Sequence, residues 1–335
     1  MTILTKNGSA IADLSYNTNF WGPPPDVRAF LSELPANILS EYPAAQGASL
    51  RSAISNHVSF EPASIAVGCG SDELIDAAFR AFARPGARVA YPDPTFPTVE
   101  QFARSSRLIT IPTPLAPDYS PDIRALARAD ADVVYVCSPN NPTGGVIDRA
   151  DLERLLMITR GIVILDEAYI EFADRSNIDL VESSDRLLVL RTFSKAFGLA
   201  GVRVGYAVGS PALIASLDAV RAPYSVNAIA QQTALTALEC GLPWVEVCVS
   251  HTRALRARFL SELASAGICA LPSQANFVLV TGVDVRAAAK ELQAVRVRAR
   301  MFENLTGIGD AIRIAMAPWP IMDRCLTALR RATQK

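Results

Sequence analysis

The chain has 335 residues, half of them hydrophobic and 19% charged, which is enough to bury a large core in one large domain or two unequal ones. Its formal net charge of -1 gives no reason to expect nucleic acid or an anionic membrane as a partner. The six cysteines are scattered without a CxxC pair, and His57 and His251 each lack a second nearby ligand, so neither a disulfide framework nor a metal site is expected.

Neither a signal peptide nor a membrane-spanning segment is expected from the sequence. The start, MTILTKNGSA, has no apolar h-region, and runs such as GIVIL at 161–165 are too short to cross a bilayer. We therefore expect a cytoplasmic protein that does not bind membranes. Residues 1–40 are rich in proline and are expected to form an arm that joins the smaller domain.

Residues 41–225 alternate short apolar runs with helix-like segments, which predicts βαβ units around a mostly parallel sheet. The runs are continuously apolar, as strands buried on both faces should be. This pattern indicates a large α/β domain with helices on both sides of its sheet. The predicted strands cover 64–68, 87–91, 132–137, 161–165, 187–191 and 204–208, and the predicted helices cover 72–83, 98–104, 151–158 and 211–220.

In residues 226–335 the regular alternation of short strands and helices ends, which predicts a smaller α+β domain. Two long helices are expected first, and His251 falls on the apolar stripe of the second, where packing or an interdomain contact is its expected role. Two strands and a closing helix follow. The predicted helices cover 227–240, 243–266 and 320–332, and the predicted strands cover 276–280 and 312–316.

A lysine follows the strand predicted at 187–191, within the string TFSKAFGLAGVRVG at 192–205. Covalent cofactor chemistry needs one lysine amine at a fixed place, able to form a Schiff base and to move a proton. Lys195 fits that need, and Thr192, Ser194 and Arg203 offer hydroxyls and a guanidinium for a phosphate. An isolated Ser-Lys pair would indicate a solvated loop, but the whole string favours a cofactor site.

The segment DEAYIEF begins with Asp166 at the carboxyl end of a buried strand, where open α/β sheets bind ligands. A pyridine ring that accepts electrons must keep its nitrogen protonated, and a carboxylate beside that nitrogen raises its pKa. Asp166 suits this role, and Tyr169 could bond the ring's phenolic oxygen. A helix cap at Asp166 and a core tyrosine explain the segment equally well.

Two turns follow other predicted strands. Asn141 lies in SPNNPTG at 138–144, where it either builds a tight turn or bonds the phenolic oxygen of a cofactor. Ser71 and Asp72 lie in GCGSDE at 68–73, and their amides at a helix N-terminus either bind a phosphate or form a simple capped turn.

Two arginines stand out in the smaller domain. Arg313 lies inside a β-like run and Arg300 precedes it, and a buried arginine in a strand needs an anionic partner. That partner is either a protein carboxylate in a structural salt bridge or a substrate anion. The motifs upstream favour the substrate.

Together these motifs resemble the fold-type I pyridoxal-phosphate enzymes and, within the class I/II aminotransferases, the histidinol-phosphate aminotransferase branch. The resemblance covers nearly the whole chain and rests on SPNNPTG, DEAYIEF and SKAFGLAG in combination. It implies catalytic roles for Lys195, Asp166 and Tyr169, a homodimer, and transfer of an amino group between an amino donor and a 2-oxo acid. The cofactor ligands that it implies are Lys195 (Schiff base), Asp166 (pyridine nitrogen), Asn141 and Tyr169 (phenolic oxygen), Ser71, Asp72, Thr192, Ser194 and Arg203 (phosphate), Phe96 (ring stacking) and Tyr42 (phosphate, from the neighbouring subunit), and the implied substrate ligands are Asn19, Arg300 and Arg313.

Three features depart from that branch. The segment after Ile314 reads Ala-Met-Ala-Pro-Trp-Pro in place of a Gly-Thr-rich turn, and the short stretch before Asn17 is expected to lack the leading segment that contributes a substrate-covering tyrosine in that branch. Residues 224–228 and the spacing around Arg300 also resemble threonine-phosphate decarboxylases. A decarboxylase on the same scaffold is therefore the alternative. A regulatory cofactor-binding protein is a third hypothesis, which the absence of a spare DNA-binding module disfavours.

Overall fold

The computed structural model describes residues 2–4 and 10–333. Thirteen strands lie in this part of the chain. They are β1 (Thr2–Leu4), β2 (Ala10–Asp13), β3 (Ile65–Gly68), β4 (Arg88–Asp93), β5 (Ile109–Pro114), β6 (Val133–Cys137), β7 (Ile162–Asp166), β8 (Leu187–Thr192), β9 (Gly205–Val208), β10 (Phe277–Thr281), β11 (Val297–Arg298), β12 (Arg300–Leu305) and β13 (Gly309–Ala315).

Eleven α-helices lie in the same residues, and short 3-10 turns connect several elements. They are α1 (Pro25–Ser32), α2 (Ala48–Val58), α3 (Gly70–Phe82), α4 (Thr98–Ser105), α5 (Ile123–Arg128), α6 (Arg149–Ile158), α7 (Pro211–Ala219), α8 (Ala228–Glu239), α9 (Leu242–Ser265), α10 (Val285–Ala294) and α11 (Trp319–Thr333). None of these helices is long and apolar enough to span a membrane.

A seven-stranded sheet in the order β3-β9-β8-β7-β6-β4-β5 forms the centre of the molecule. The pairs from β5 to β8 are parallel, and β9 is antiparallel to both of its neighbours. Side chains alternate between two buried faces: α2, α5, α6 and α8 cover one, and α3, α4 and α7 cover the other. The predicted α/β fold with a mostly parallel, doubly covered sheet is confirmed.

The six strands predicted for this sheet are present, but β5 was missed. Its sequence, ITIPTP, contains two prolines and has an exposed first residue, so it lacks the continuous apolar character of its neighbours. β5 pairs only with β4 and forms one edge of the sheet. An edge strand tolerates proline because one row of its backbone groups needs no partner.

The second part of the fold is built around the antiparallel sheet β10-β13-β12, whose core is shared with α9, α10 and α11. β2 of the N-terminal arm joins this part by pairing in parallel with β11, Ala12 opposite Val297. Leu14, which follows β2, is fully buried in the same core. The arm therefore packs with the smaller sheet.

The division between the two parts was placed at residues 225 and 226, and it stays a prediction. Ala230 and Ala234 of α8 are buried in the core of the central sheet. α9 begins in that core at Val245 and ends in the second core at Phe259 and Leu263. This packing favours a boundary within α9.

His251 of α9 was predicted on the apolar stripe of its helix, but its side chain is exposed. The buried face of the helix runs through Cys248 and Thr252, on either side of His251. The imidazole instead faces the arm, with its centroid 6.3 Å from that of the Trp21 ring. The contact that His251 makes is therefore with the arm, and an interdomain role for it stays a prediction.

Candidate active site

A cavity of about 560 Å³ opens at the carboxyl ends of the parallel strands, between the central sheet, the arm and the smaller sheet. Parallel sheets bind ligands at this edge because the connections that follow the strands converge there. Twelve of the fourteen residues predicted for the site line it. They are Ser71, Asp72, Phe96, Asn141, Asp166, Tyr169, Thr192, Ser194, Lys195, Arg203, Arg300 and Arg313.

One end of the cavity gathers hydrogen-bond donors. The guanidinium of Arg203 lies 3.0 Å from a carboxylate oxygen of Asp72 and 3.4 Å from the hydroxyl of Ser194. The Thr192 hydroxyl donates to the Ser194 hydroxyl at 2.9 Å. A cation and two hydroxyls at one point are the groups that a phosphate binds.

Two glycines let the backbone approach this cluster of donors. Gly70 opens α3 with φ +77, and a Cβ there would lie 2.5 Å from Nη2 of Arg203. A Cβ on Gly205 would lie 2.6 Å from the backbone nitrogen of Ser71. The N-terminal amides of α3 are thus packed against Arg203 with no room for side chains, and a helix N-terminus favours an anion.

Asp166 ends β7 and is 3% exposed. The Tyr135 hydroxyl donates to its Oδ2 at 2.6 Å, and the backbone nitrogen of Ala168 donates to its Oδ1 at 3.0 Å. Burial raises the pKa of Asp166 to about 6, and these two hydrogen bonds oppose the shift. A buried carboxylate at this place suits a protonated ring nitrogen.

Lys195 lies in the turn after β8, and its amine reaches the backbone oxygen of Tyr16 at 3.5 Å. The amine also lies 5.5 Å from the centroid of the Tyr169 ring. Burial lowers the pKa of Lys195 to about 8, the nearby cation of Arg313 adds to the shift, and the carboxylate of Asp72 opposes it. A substantial fraction of the amine is therefore neutral near physiological pH, as a nucleophile or base requires.

Tyr169 is held by two side chains that sequence analysis did not assign to the site. Asn17 donates to its hydroxyl at 3.1 Å, and Phe277 packs against its ring edge to face at 5.1 Å between centroids. Burial raises the pKa of Tyr169 to about 12, so the phenol stays protonated and can donate a hydrogen bond.

Arg313 on β13 points into the same cavity and is 8% exposed. Its guanidinium donates to the Asn141 side-chain oxygen and, at 2.6 Å, to the backbone oxygen of Ser15. The Nε atom is buried without a hydrogen-bond partner. Arg300 of β12 lies directly opposite Arg313 in the strand register and is exposed at the cavity.

Three consecutive residues of the arm contact three of the predicted residues. The backbone oxygens of Ser15 and Tyr16 accept from Arg313 and Lys195, and the Asn17 amide donates to Tyr169. The Tyr16 side chain is 65% exposed and lines the cavity. Two of these contacts use carbonyl groups, which residue type does not reveal, so sequence reasoning missed them.

Two predicted residues lie outside the cavity. Asn19 accepts from the Trp21 nitrogen and donates at 2.9 Å to the backbone oxygen of Ala196, so it supports the turn that carries Lys195. Tyr42 is 85% exposed, and its ring lies 5.1 Å from that of Tyr224. The structure therefore does not bring Asn19 or Tyr42 to the other predicted residues.

The cavity thus has a phosphate-binding end, a buried carboxylate, and a lysine amine of lowered pKa. These groups fit pyridoxal 5′-phosphate, because its phosphate, ring nitrogen and aldehyde need an anion site, an acid and an amine. No group of three or more His, Cys, Asp or Glu side chains within 10–333 is arranged to hold a metal ion. The fold and site define a pyridoxal-phosphate enzyme of fold type I.

The chain belongs to the family of class I and II aminotransferases, whose family model matches residues 10–320. It is a transaminase that uses pyridoxal phosphate, and the predicted fold type, cofactor and enzyme class are confirmed. It is similar to the histidinol-phosphate aminotransferase of Thermoanaerobacter pseudethanolicus, with 35% identity over 294 residues, 86% of this chain and 83% of that one.

Two further proteins show the breadth of the similarity. An aromatic amino acid aminotransferase of Mycobacteroides abscessus is 38% identical over 284 residues, covering 82% of this chain and 80% of that one. The crystal structure of the Sinorhizobium meliloti histidinol-phosphate aminotransferase, solved with pyridoxal 5′-phosphate, matches with a TM-score of 0.89 at 28% identity. The match covers 96% of this chain and 91% of that one.

Proposed function

We propose that this aminotransferase takes an amino donor that carries a flat ring and an anionic group, histidinol phosphate first among them, and passes the amino group to a 2-oxo acid. The observation that carries the proposal is the buried guanidinium of Arg313, which faces the cavity without a carboxylate partner. The names of the similar proteins support the choice of donor, because one acts on histidinol phosphate and another on aromatic amino acids.

The charge of Arg313 is not neutralised by the protein. Its acceptors are the neutral oxygens of Asn141 and Ser15, and no ion pair to Arg313 or Arg300 exists within residues 10–333. Burial lowers the pKa of Arg313, which reflects the cost of keeping its charge out of water. A structural salt bridge, the alternative reading of these arginines, is therefore disfavoured, and a substrate anion would supply the missing partner.

The ring of the donor finds aromatic side chains at the cavity. Tyr16 and Phe302 line it from the arm and from β12, in addition to Phe96, which is proposed to stack on the cofactor ring. A phosphate or carboxylate on Arg313 would leave the rest of the donor between these rings. Stacked or edge-to-face contacts of this kind favour planar groups.

Bound pyridoxal phosphate supplies the aldehyde that captures an amino group and a ring that withdraws electrons. Lys195 is proposed to take the proton from the substrate α-carbon through its Nζ and to return it on the cofactor side, because its amine lies 5.5 Å from the centroid of the Tyr169 ring and lines the same cavity as Asp166. Asp166 would face the ring nitrogen. Asn141 and Tyr169 would bond the phenolic oxygen, and Ser71, Asp72, Thr192, Ser194 and Arg203 would hold the phosphate.

The test is a spectroscopic screen of amino donors against the purified holoenzyme without any 2-oxo acid. Histidinol phosphate is expected to convert the bound cofactor to its amine form at the lowest donor concentration, followed by phenylalanine and tyrosine. Alanine, which has no ring, is the matched control. The proposal fails if alanine reacts as well as histidinol phosphate.

Phosphothreonine in the same screen tests the decarboxylase alternative. Release of carbon dioxide without conversion of the cofactor to its amine form would select decarboxylation. Transamination predicts the opposite result, because the proton removed from the donor is placed back on the cofactor and no carbon–carbon bond breaks.

We also infer that two copies of the chain form a homodimer in which Tyr42 reaches the phosphate of the partner's cofactor. Large apolar side chains are exposed at Leu31 (39%), Leu39 (78%), Tyr42 (85%) and Tyr224 (48%), and the rings of Tyr42 and Tyr224 lie 5.1 Å apart. Tyr42 also lines a shallow hollow of about 320 Å³ together with Phe30 and Ile38. An apolar region of this kind is typical of an interface.

Subunit mixing tests this arrangement. Dimers made only of Tyr42→Phe subunits should have low activity, and dimers made only of Lys195→Ala subunits should be inactive. A mixed dimer would regain one intact site if Tyr42 acts on the neighbouring subunit, because the Lys195 of one chain would meet the Tyr42 of the other. Absence of any recovery in mixed dimers would contradict the proposal.

A cytoplasmic location is also proposed. All six cysteines are free thiols, and two of them, Cys240 and Cys269, are exposed. Exposed free thiols persist in a reducing compartment. Recovery of the native protein in a membrane-free cytosolic fraction is the expected result, and recovery only in an exported fraction would contradict it.

A further inference from the structure

The hydroxyl of Tyr135 makes a contact for which the proposed function has no role. Tyr135 lies on β6, next to β7, where Cys137 is paired with Asp166. Its hydroxyl donates to Oδ2 of Asp166 at 2.6 Å, while the Ala168 nitrogen donates to Oδ1. Both oxygens of the carboxylate are therefore bonded to the protein.

Tyr135 itself is fully buried and lies outside the cavity that Asp166 and Cys137 line. Its ring packs in the core beneath α3, on the same face of the sheet as Ile164. The hydroxyl is the only polar group of the side chain, and a fully buried hydroxyl is costly unless it is bonded. Its bond to Asp166 meets that need.

We propose that Tyr135 is a positioning residue, whose hydroxyl fixes the Asp166 carboxylate so that its remaining lone pairs face the ring nitrogen of bound cofactor. The inference rests on the proposed role of Asp166. Because Tyr135 does not line the cavity, it acts through the carboxylate to which it is bonded.

The charges around Asp166 make this bond important. Burial favours the neutral acid, and the Asp72 carboxylate on α3 adds to that effect, whereas the Tyr135 bond and the Lys195 amine favour the charged form. The Cys137 thiol stays neutral because burial raises its pKa well above the usual range. Only the charged form of Asp166 can accept a hydrogen bond from a protonated ring nitrogen at either oxygen.

Tyr135 is suited to this role because it remains a donor. Burial, followed by the charge of Asp166, raises the pKa of Tyr135 well above its usual value, so the hydroxyl keeps its proton throughout the working pH range. Substitution by phenylalanine would keep the ring in the core and remove only this proton donor.

The test is a Tyr135→Phe variant with two readouts besides activity. In the apoenzyme, the carboxyl signal of Asp166, assigned by ¹³C NMR with an Asp166→Asn variant, should titrate about one pH unit higher than in the wild type. The dissociation constant for pyridoxal phosphate at pH 7 should rise about tenfold, and the loss of affinity on acidification should begin at a higher pH.

A Tyr206→Phe variant is the matched control. Tyr206 is also buried, at 2% exposure, and it lies on β9 with its hydroxyl near Arg191 on the opposite face of the sheet. It should lose thermal stability without moving the Asp166 titration. If Tyr135→Phe lowers the melting temperature but leaves the Asp166 midpoint and the cofactor affinity unmoved, its role is only structural and the proposal is overturned.

A double-mutant cycle completes the test. In an Asp166→Asn background, Tyr135→Phe should change cofactor affinity by less than about twofold, because the carboxylate through which it acts is gone. Fully additive losses would overturn the proposal. If instead Asp166→Asn binds the cofactor as tightly as the wild type, the proposed role of Asp166 fails as well, and the apoenzyme titration still reports the effect of Tyr135 separately.

Discussion

The two halves of the active site are built in different ways. The half that fits the cofactor consists of short strings at the ends of adjacent strands, with Asp166 as the last residue of β7 and Thr192 to Lys195 at the end of β8. The half that faces the substrate is assembled from the arm at residues 15–17 and from β12 and β13, about three hundred residues later in the chain. The cofactor half is held by the central sheet. The geometry of the substrate half depends on how the arm and the smaller sheet pack against that sheet.

The largest effect is expected at the centre of the cofactor half. Lys195→Ala removes the only side-chain amine among the described residues that line the cavity, so kcat should fall about 10⁴-fold or more. Lys290→Ala, on the exposed side of α10, is the control and should be unchanged. Single-turnover kinetics with an amino donor would measure the effect, and full turnover by Lys195→Ala would overturn the catalytic assignment.

Substitutions in the substrate half should have the next largest effect on kcat/KM, and the two arginines should differ. Arg313→Ala should lower kcat/KM for an anionic donor about 10²-fold, because truncating one partner of a buried charge pair costs roughly 2–5 kcal/mol. Arg300→Ala should cost only about fivefold or less, because exposed charge pairs contribute little. Steady-state kinetics would compare the two, and equal losses would contradict the role of burial.

Behind the cofactor half, the buried Glu167 and the half-buried Glu171 should give the protein a pH-dependent stability. Arg191 bridges to Glu167 at 2.9 Å, and Glu171 shares the same cation with one oxygen left unbonded. Burial raises the pKa of Glu171 to about 7. Folded protein thus keeps this proton up to about pH 7 while unfolded protein loses it near 4.5, so stability should fall as pH rises between these values.

Glu171→Gln removes that dependence. At pH 8 the variant should be more stable than the wild type by on the order of 2 kcal/mol, and at pH 4.5 or below the difference should disappear. Glu182→Gln, which alters an exposed side chain, is the control. Urea unfolding of the apoenzymes at several pH values would measure this, and equal slopes for wild type and Glu171→Gln would refute it.

The smallest effect is expected at the mouth of the substrate half. Tyr16→Ala should raise the KM of a ring-bearing donor about fivefold while leaving cofactor affinity unchanged, because its backbone oxygen still meets Lys195. Tyr16→Phe keeps the ring and should lie close to the wild type. If Tyr16→Ala and Tyr16→Phe had the same KM for a ring-bearing donor, Tyr16 would have no role in binding the ring of the substrate.

The comparison also explains how much the sequence could reveal. Asp166, Asn141 and Lys195 were found because each lies in a distinctive string beside a continuously apolar strand. Tyr135 was overlooked because VVYVC reads as an apolar strand, in which a hydroxyl looks like part of a core side chain. Its partner becomes visible only when the pairing of β6 with β7 is known.

The arm was harder still to predict. Ser15 and Tyr16 act through backbone oxygens, which any residue would offer, and Asn17 adopts a φ of 53° that brings its amide to Tyr169. The contact of Tyr42 with a second subunit involves a chain outside the structure and stays a prediction. Backbone groups are the same in nearly every residue, and a contact with a second subunit involves another chain. Neither kind of contact leaves a local pattern in the sequence.

The long helix α9 has a consequence for how the two halves stay aligned. Its first turns are anchored in one core at Val245 and its last turns in the other at Phe259 and Leu263. Inserting or deleting one residue between these anchors would turn one end about 100° relative to the other, since each residue advances a helix by that angle. The length of α9 between Val245 and Phe259 is therefore constrained by the packing of both of its ends.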